Sequence, residues 1–253
     1  LQAAHPDLQP NYVAGDSWDF GGNDADPAPA DADDNHGTSV AGIAAARGGN
    51  AVGVTGAAPH AGLAGLRIDF ANQTTQMFVD ATLHHSSGTT TTIDVKNHSY
   101  GISVPFIATG PEVAALHTSA RAGTVHTFAG GNERLYHGYY IDVNGNGSFD
   151  ENYDYAVDGD ACKKHSQNSR DSIAVAAVAA NGGYSYYSNY GSCIFVAAPS
   201  SGSSSLAIAT TDRTGADGYN SGSDAIGDAD YTSGFGGTSA ASPLVAGVLA
   251  LAR

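Results

Sequence analysis

Positive charge is scarce in this chain. Its 253 residues carry 10 Lys and Arg against 25 Asp and Glu, a formal net charge of −15. Such a balance argues against nucleic acid or an anionic membrane as partner; it suits a soluble protein that tolerates salt or holds cations, and solubility alone would also explain it. No apolar run approaches the roughly 18 residues that a membrane span requires. The opening residues, LQAAHPDLQP, lack the basic and hydrophobic regions of a signal peptide, so a secreted protein would have its leader outside this chain. Cysteine is limited to Cys162 and Cys193, which suits either one disulfide or two buried thiols and does not by itself fix the redox compartment. Linkers, repeats and extended low-complexity segments are also missing, so residues 1–253 are expected to form one domain.

What is present is an alternation of short apolar stretches with segments of helical character. Strands are expected at AGLAGLRI (61–68), TTIDVKNHSYG (91–101), GTVHTFAGGN (123–132), SIAVAAVAA (172–180) and CIFVAAPS (193–200), with helices over 74–86 and 111–122. This order predicts an α/β fold, a mainly parallel, doubly wound sheet in a three-layer αβα arrangement, whose loops beyond the strand ends build the site. Polar, Gly- and Asp-rich insertions lie at 19–35, 137–160 and 212–234.

Two stretches carry chemistry. In GGTSAASPLVAGVLAL, Gly236 to Leu251, Ser239 precedes a run so apolar that the helix must be buried on all sides. Pro243 is accommodated if that helix begins close to Ser239, because the first backbone N–H groups have no intrahelical acceptor. Ser239 is then either a simple N-cap or a nucleophile placed where the helix dipole favours a nascent oxyanion. In DDNHGTSVAGIAAA, His36 likewise opens a helix of small apolar residues.

HGTSVAG followed by GTSAASP resembles the subtilisin-like serine proteases, the subtilases, whose triad runs Asp, His, Ser along the chain. The resemblance implies the subtilisin-like fold and a serine endopeptidase acting on polypeptides, with Ser239 as nucleophile and His36 as general base. TVHTFAGGN supplies Asn132 as the side-chain oxyanion donor, joined by the Ser239 N–H. NHSYG places Ser99, Tyr100 and Gly101 where the family pairs an edge segment with extended substrate backbone. The family's acid would stand about three residues before Leu1. The chain is therefore expected to be a piece truncated at both ends, the alternative being a noncatalytic pseudoprotease or calcium-binding module of the same fold.

The same resemblance implies Ca2+. Asp7 matches a family calcium ligand, and GGNAVGVTGAAP resembles the calcium loop in which Asn50 and the carbonyls of Gly48, Val52 and Val54 would join it; an ordinary Gly-rich turn is the alternative. DVNGNGSFDENYD partly matches an EF-hand-like loop, with Asp142, Asn144, Asn146, Gly147 and Asp150 in ligand register but Tyr153 at the twelfth position instead of Glu.

SWDFGGNDADPAPADADDNHGT resembles the kexin-like, or proprotein convertase, branch. That branch implies a Cys162–Cys193 disulfide; a secreted, monomeric enzyme is expected. It places an acid after the first Cys, whereas Lys163, Lys164 and His165 stand here, so repulsion of basic side chains and a specificity that is not strictly dibasic are expected. Asp158 or Asp160 could supply a carboxylate instead. Other hydrolases fit less well, since neither Gly-x-Ser-x-Gly nor His-Glu-x-x-His occurs. His84 and His85, adjacent and so on different sides of a helix, are expected at the surface.

Overall fold

The computed structural model describes residues 1–88, 91–136, 139–148, 150, 155–202 and 206–253. In chain order the regular elements are β1 (Trp18–Asp19), α1 (His36–Ala45), β2 (Leu66–Arg67), α2 (Thr75–Leu83), β3 (Val95–His98), α3 (Gly110–Ala122), β4 (Val125–Ala129), β5 (Tyr140–Ile141), β6 (Tyr155–Ala156), β7 (Ile173–Val178), β8 (Ile194–Pro199), β9 (Ile208–Thr211), β10 (Tyr231–Phe235) and α4 (Thr238–Ala250).

The central sheet is parallel and four-stranded in the order β3-β4-β7-β8. Side chains alternate across it. Asn97 and Thr127 face α4, where Asn97 Oδ1 accepts from the Ser242 hydroxyl. Lys96 and His126 face the other way, toward α2 and α3. Helices thus cover both faces, and Val175, Ala177 and Ala198 pack with Ala241 to form the core under α4.

The Ala- and Gly-rich composition of α1 and α4 has a packing cause. A Cβ on Gly42 would stand 2.3 Å from Thr211 Oγ1, and one on Gly247 would stand 2.7 Å from the Ala44 carbonyl oxygen. Only small residues let α1 lie against both α4 and β9 at this distance. At the start of α3, the Glu112 carboxylate accepts the Thr109 N–H at 2.8 Å, closing the first turn.

Three expectations need correction. The apolar stretch 61–68 yields only the two residues of β2, paired in parallel with β1, because β1 is itself only two residues long. β9 and β10 form an antiparallel pair, and β10 lies at the end of the segment read as a polar insertion. His84 and His85 sit just past α2, not on it; their rings touch at a 4.3 Å centroid distance, and His84 also packs on Phe20.

Candidate active site

α1 and α4 pack against one another, and Phe235 links their first turns. His36 opens α1, half-buried, with its ring 5.4 Å from that of Phe235, the last residue of β10. Burial lowers its pKa below the ordinary histidine value. Phe235 in turn packs with Ala240 in α4, one residue after Ser239. The Leu1 amine donates to the Pro27 carbonyl at 3.0 Å and lies 3.6 Å from where a Cβ on Gly37 would stand. The start of the chain is therefore beside the first turn of α1.

Ser239 is bound reciprocally to Ser99. Its hydroxyl donates to the Ser99 carbonyl at 3.3 Å, and the Ser99 hydroxyl donates to the Ser239 carbonyl at 3.0 Å. The second bond explains Pro243. α4 begins at Thr238, so Pro243 lies inside the helix and not among its first N–H groups. It removes the N–H that the Ser239 carbonyl would have accepted, and Ser99 supplies the donor from β3's C-terminal end.

Asn132 follows β4 and is held by the same helix mouth. Its Oδ1 accepts from the Thr238 N–H at 2.8 Å and from the Thr238 hydroxyl at 3.1 Å, while the Gly131 N–H donates to that hydroxyl. With Oδ1 occupied, Nδ2 has no hydrogen-bond partner among the described residues, and it stands 3.2 Å from the position of a Cβ on Gly237. The structure thus brings Asn132, Ser99 and Ser239 together.

Tyr100 directs its ring against Phe70 and Phe78 and its hydroxyl to His98 Nδ1 at 2.7 Å, while Gly101 is exposed. Burial raises the Tyr100 phenol well above its usual range. Behind Asn132 lies an ion pair that the sequence did not signal: Lys164 Nζ donates to Glu133 Oε2 at 2.5 Å, and fully buried Asn189 donates to the same oxygen at 2.6 Å. Nothing in KKH or GNE marks these residues as partners, since 31 positions separate Lys164 from Glu133.

Of the first cation loop, the structure gathers Asp7, Asn50 and Val54. The fully buried Asp7 carboxylate accepts from Asn50 Nδ2 at 2.6 Å and from the Val54 N–H at 2.8 Å, and Asn50 Oδ1 accepts the Val52 N–H at 3.2 Å. Both Asp7 oxygens accept N–H donors, and Asn50 turns Nδ2 toward the carboxylate while its Oδ1 holds the Val52 N–H, so the loop is closed here by hydrogen bonds and the cation reading rests on the resemblance. The part taken by the carbonyls of Gly48, Val52 and Val54 rests on the resemblance.

In the second loop, Asp142 accepts the N–H groups of Gly145 and Gly147 at 2.6 and 2.7 Å, and Asn144 accepts that of Asn146 at 3.0 Å. Gly147 holds φ at +78°, as the sharp turn at the sixth position of such a loop requires. Asp150 is engaged, and Tyr153 lies outside the described residues. No group of three His, Cys, Asp or Glu side chains able to hold a metal occurs among the described residues.

Cys162 and Cys193 are adjacent thiols in the structure, not the expected bonded pair. Cys162 Sγ accepts the Cys193 N–H at 3.1 Å, and burial, followed by the interaction with Cys162, pushes the Cys193 thiol up to about 12. The expected effect of Lys163 and Lys164 also changes. Lys163 pairs with Asp158 at 2.5 Å and Lys164 with Glu133, so neither presents an uncompensated charge to a basic side chain. Asp160 is used at home, accepting the Cys162 N–H at 2.9 Å.

A profile described as "Subtilase family" matches residues 1–253. The chain is 35% identical over 249 residues to a dibasic-processing endoprotease of Schizosaccharomyces pombe, covering 98% of this chain and 30% of that protein. It is 33% identical over 278 residues to the Aeromonas extracellular serine protease of Aeromonas sobria, covering 99% of this chain and 43% of that protein. The crystal structure of the serine protease of Aeromonas sobria superposes with a TM-score of 0.80 at 30% identity, over 100% of this chain and 45% of that one. A calcium-dependent protease of Trichormus variabilis is 49% identical over 84 residues, 31% of this chain and 13% of that protein. The chain spans less than half the length of each of these relatives.

Proposed function

Because the chain belongs to the subtilase family, we propose that residues 1–253 are the peptidase domain of a secreted, monomeric serine endopeptidase whose substrates are polypeptides, with no nucleic-acid or membrane partner. Ser239 attacks the scissile carbonyl, and His36 takes its proton and returns it to the leaving amine. Asn132 Nδ2 and the Ser239 N–H at the mouth of α4 stabilise the oxyanion. Ser99, Tyr100 and Gly101 pair with the substrate backbone. An Asp about three residues upstream of Leu1 orients His36; the place of Leu1 beside Gly37 supports this.

The observation that carries the proposal is the locked amide of Asn132. Thr238 uses both its N–H and its hydroxyl to hold Oδ1, which leaves the donating end aimed at the helix mouth where Ser239 sits. A preorganised donor costs no reorganisation when charge develops.

Asp7 and Asn50, with the carbonyls of Gly48, Val52 and Val54, would hold one Ca2+, and Asp142, Asn144, Asn146 and Asp150 a second. The ion supplies positive charge that ties loops together and takes no part in bond cleavage. Cys162 and Cys193 are free thiols in this structure, and their adjacency would let an oxidising compartment join them. Specificity is not confined to paired basic residues, now because the Asp158 carboxylate already pairs with Lys163.

The test is hydrolysis of peptides by the full-length protein together with labelling by a serine-directed phosphonate. Ser239→Ala should abolish both, by about 10⁶-fold in turnover.

A further inference from the structure

Behind the Ser99–Gly101 segment runs a buried chain of hydrogen bonds that the proposed chemistry leaves unused. Tyr100 Oη meets His98 Nδ1 at 2.7 Å, His98 Nε2 meets His126 Nδ1 at 3.0 Å, and His126 Nε2 meets Ser119 Oγ at 2.9 Å. It starts on the segment bound to Ser239, crosses from β3 to β4 and ends on α3. His126 and Ser119 are fully buried and His98 is 5% exposed. The His98 ring stacks on Phe128 at a centroid distance of 4.1 Å and an interplanar angle of 3°, which fixes its plane.

The contact between the two rings needs one N–H and one bare nitrogen, so both rings cannot be protonated at once. Burial comes first among the causes that hold both neutral: it takes His126 down to about 3 and His98 well below its ordinary value. The charged groups facing the chain are Lys96 on β3, which opposes protonation of both rings, Asp171 before β7, which favours that of His126, and Glu112 on α3, which acts on Tyr100.

Two neutral rings allow two directions of donation. A phenol is the stronger donor, and a serine within a helix can return its own O–H to a carbonyl one turn back. The chain therefore runs from Tyr100 to His98, to His126, to Ser119, with the proton of each ring on Nε2.

We propose that His98 and His126, as neutral Nε2–H tautomers ending on Ser119, are positioning residues that hold Tyr100 and so fix the Ser99–Gly101 segment beside Ser239. This rests on the serine-peptidase function proposed above. The chain acts on the segment that would pair with substrate backbone. Loosening it should weaken binding of extended peptides and leave a small reagent at Ser239 unaffected.

The experiment uses the full-length protein with ¹⁵N-labelled histidine. Side-chain spectra from pH 7.5 to 5 should show two rings that stay neutral with Nε2 protonated throughout. Ser119→Ala should give His126 a mixed tautomer, raise KM for an extended peptide by about threefold to tenfold, and change labelling by a small fluorophosphonate less than about twofold. Tyr100→Phe, which keeps the ring against Phe70 and Phe78, should also mix the tautomers. A labelled wild type whose two rings titrate, carry the proton on Nδ1 or interconvert overturns the relay alone. So does an unchanged peptide KM in Ser119→Ala. A wild type that fails to label while its two rings show the assigned tautomers overturns the peptidase function, and the positioning role with it.

Discussion

The proposed triad takes its acid from upstream of Leu1, and the titration of His36 should show it. In the chain beginning at Leu1, burial keeps its midpoint below the ordinary value. Extending the chain through the proposed upstream acid should raise the midpoint, because a nearby carboxylate favours the imidazolium. NMR titration of the two forms checks this, and equal midpoints would contradict it. His36, Asn132 and Ser239 are singled out by the resemblance of HGTSVAG, TVHTFAGGN and GTSAASP to the subtilases, since each residue alone reads as an ordinary helix-start or turn residue. The two hydrogen bonds between Ser99 and Ser239, and the contacts of Glu133 with Lys164 and Asn189, were not legible. Such partners are set by how strands and helices stack, and no local pattern announces a contact across 140 positions.

Among the elements, α4 depends on β3. Ser99→Ala leaves the Ser239 carbonyl without the hydroxyl donor and should cost about 1–3 kcal/mol in denaturant unfolding. Adding Pro243→Ala restores an N–H at position 243 and should recover part of that loss, whereas simple additivity of the two changes would contradict the coupling. The sheet also has a pH limit. His126 binds protons less readily folded than unfolded, so its contribution is complete above about pH 6.5 and is lost as pH falls toward 3. The slope is at most about 1.4 kcal/mol per pH unit for one ring. His126→Asn should flatten that slope in acid-unfolding curves.

The helices and the four strands of the central sheet were readable from apolar runs of ordinary length. β9 and β10 were not, because IATT and YTSGF are short and rich in Thr, Ser and Gly, and their pairing is fixed by α1 packing on Thr210 and Thr211.

At the scale of the whole molecule, 25 acidic residues against 10 basic ones make cation binding a question of stability. Chelation of the full-length protein should lower Tm, and Asp7→Ala should remove most of that dependence, since an ion bound only to the native state stabilises by mass action. Equal Tm values with and without chelator would contradict both loops as Ca2+ sites. The three-layer order was legible from alternating elements, whereas the seat of Asp7 against Asn50 and Val54 came from the family resemblance and from long-range packing.

The most direct measurement compares the full-length protein with its Ser239→Ala and His36→Ala variants in peptide hydrolysis and phosphonate labelling, with folding checked by circular dichroism. The folded wild type should cleave and label, both variants should lose turnover, and removing the proposed upstream Asp should cost about 10⁴-fold. A folded full-length protein that neither cleaves nor labels would contradict the assignment of a serine endopeptidase.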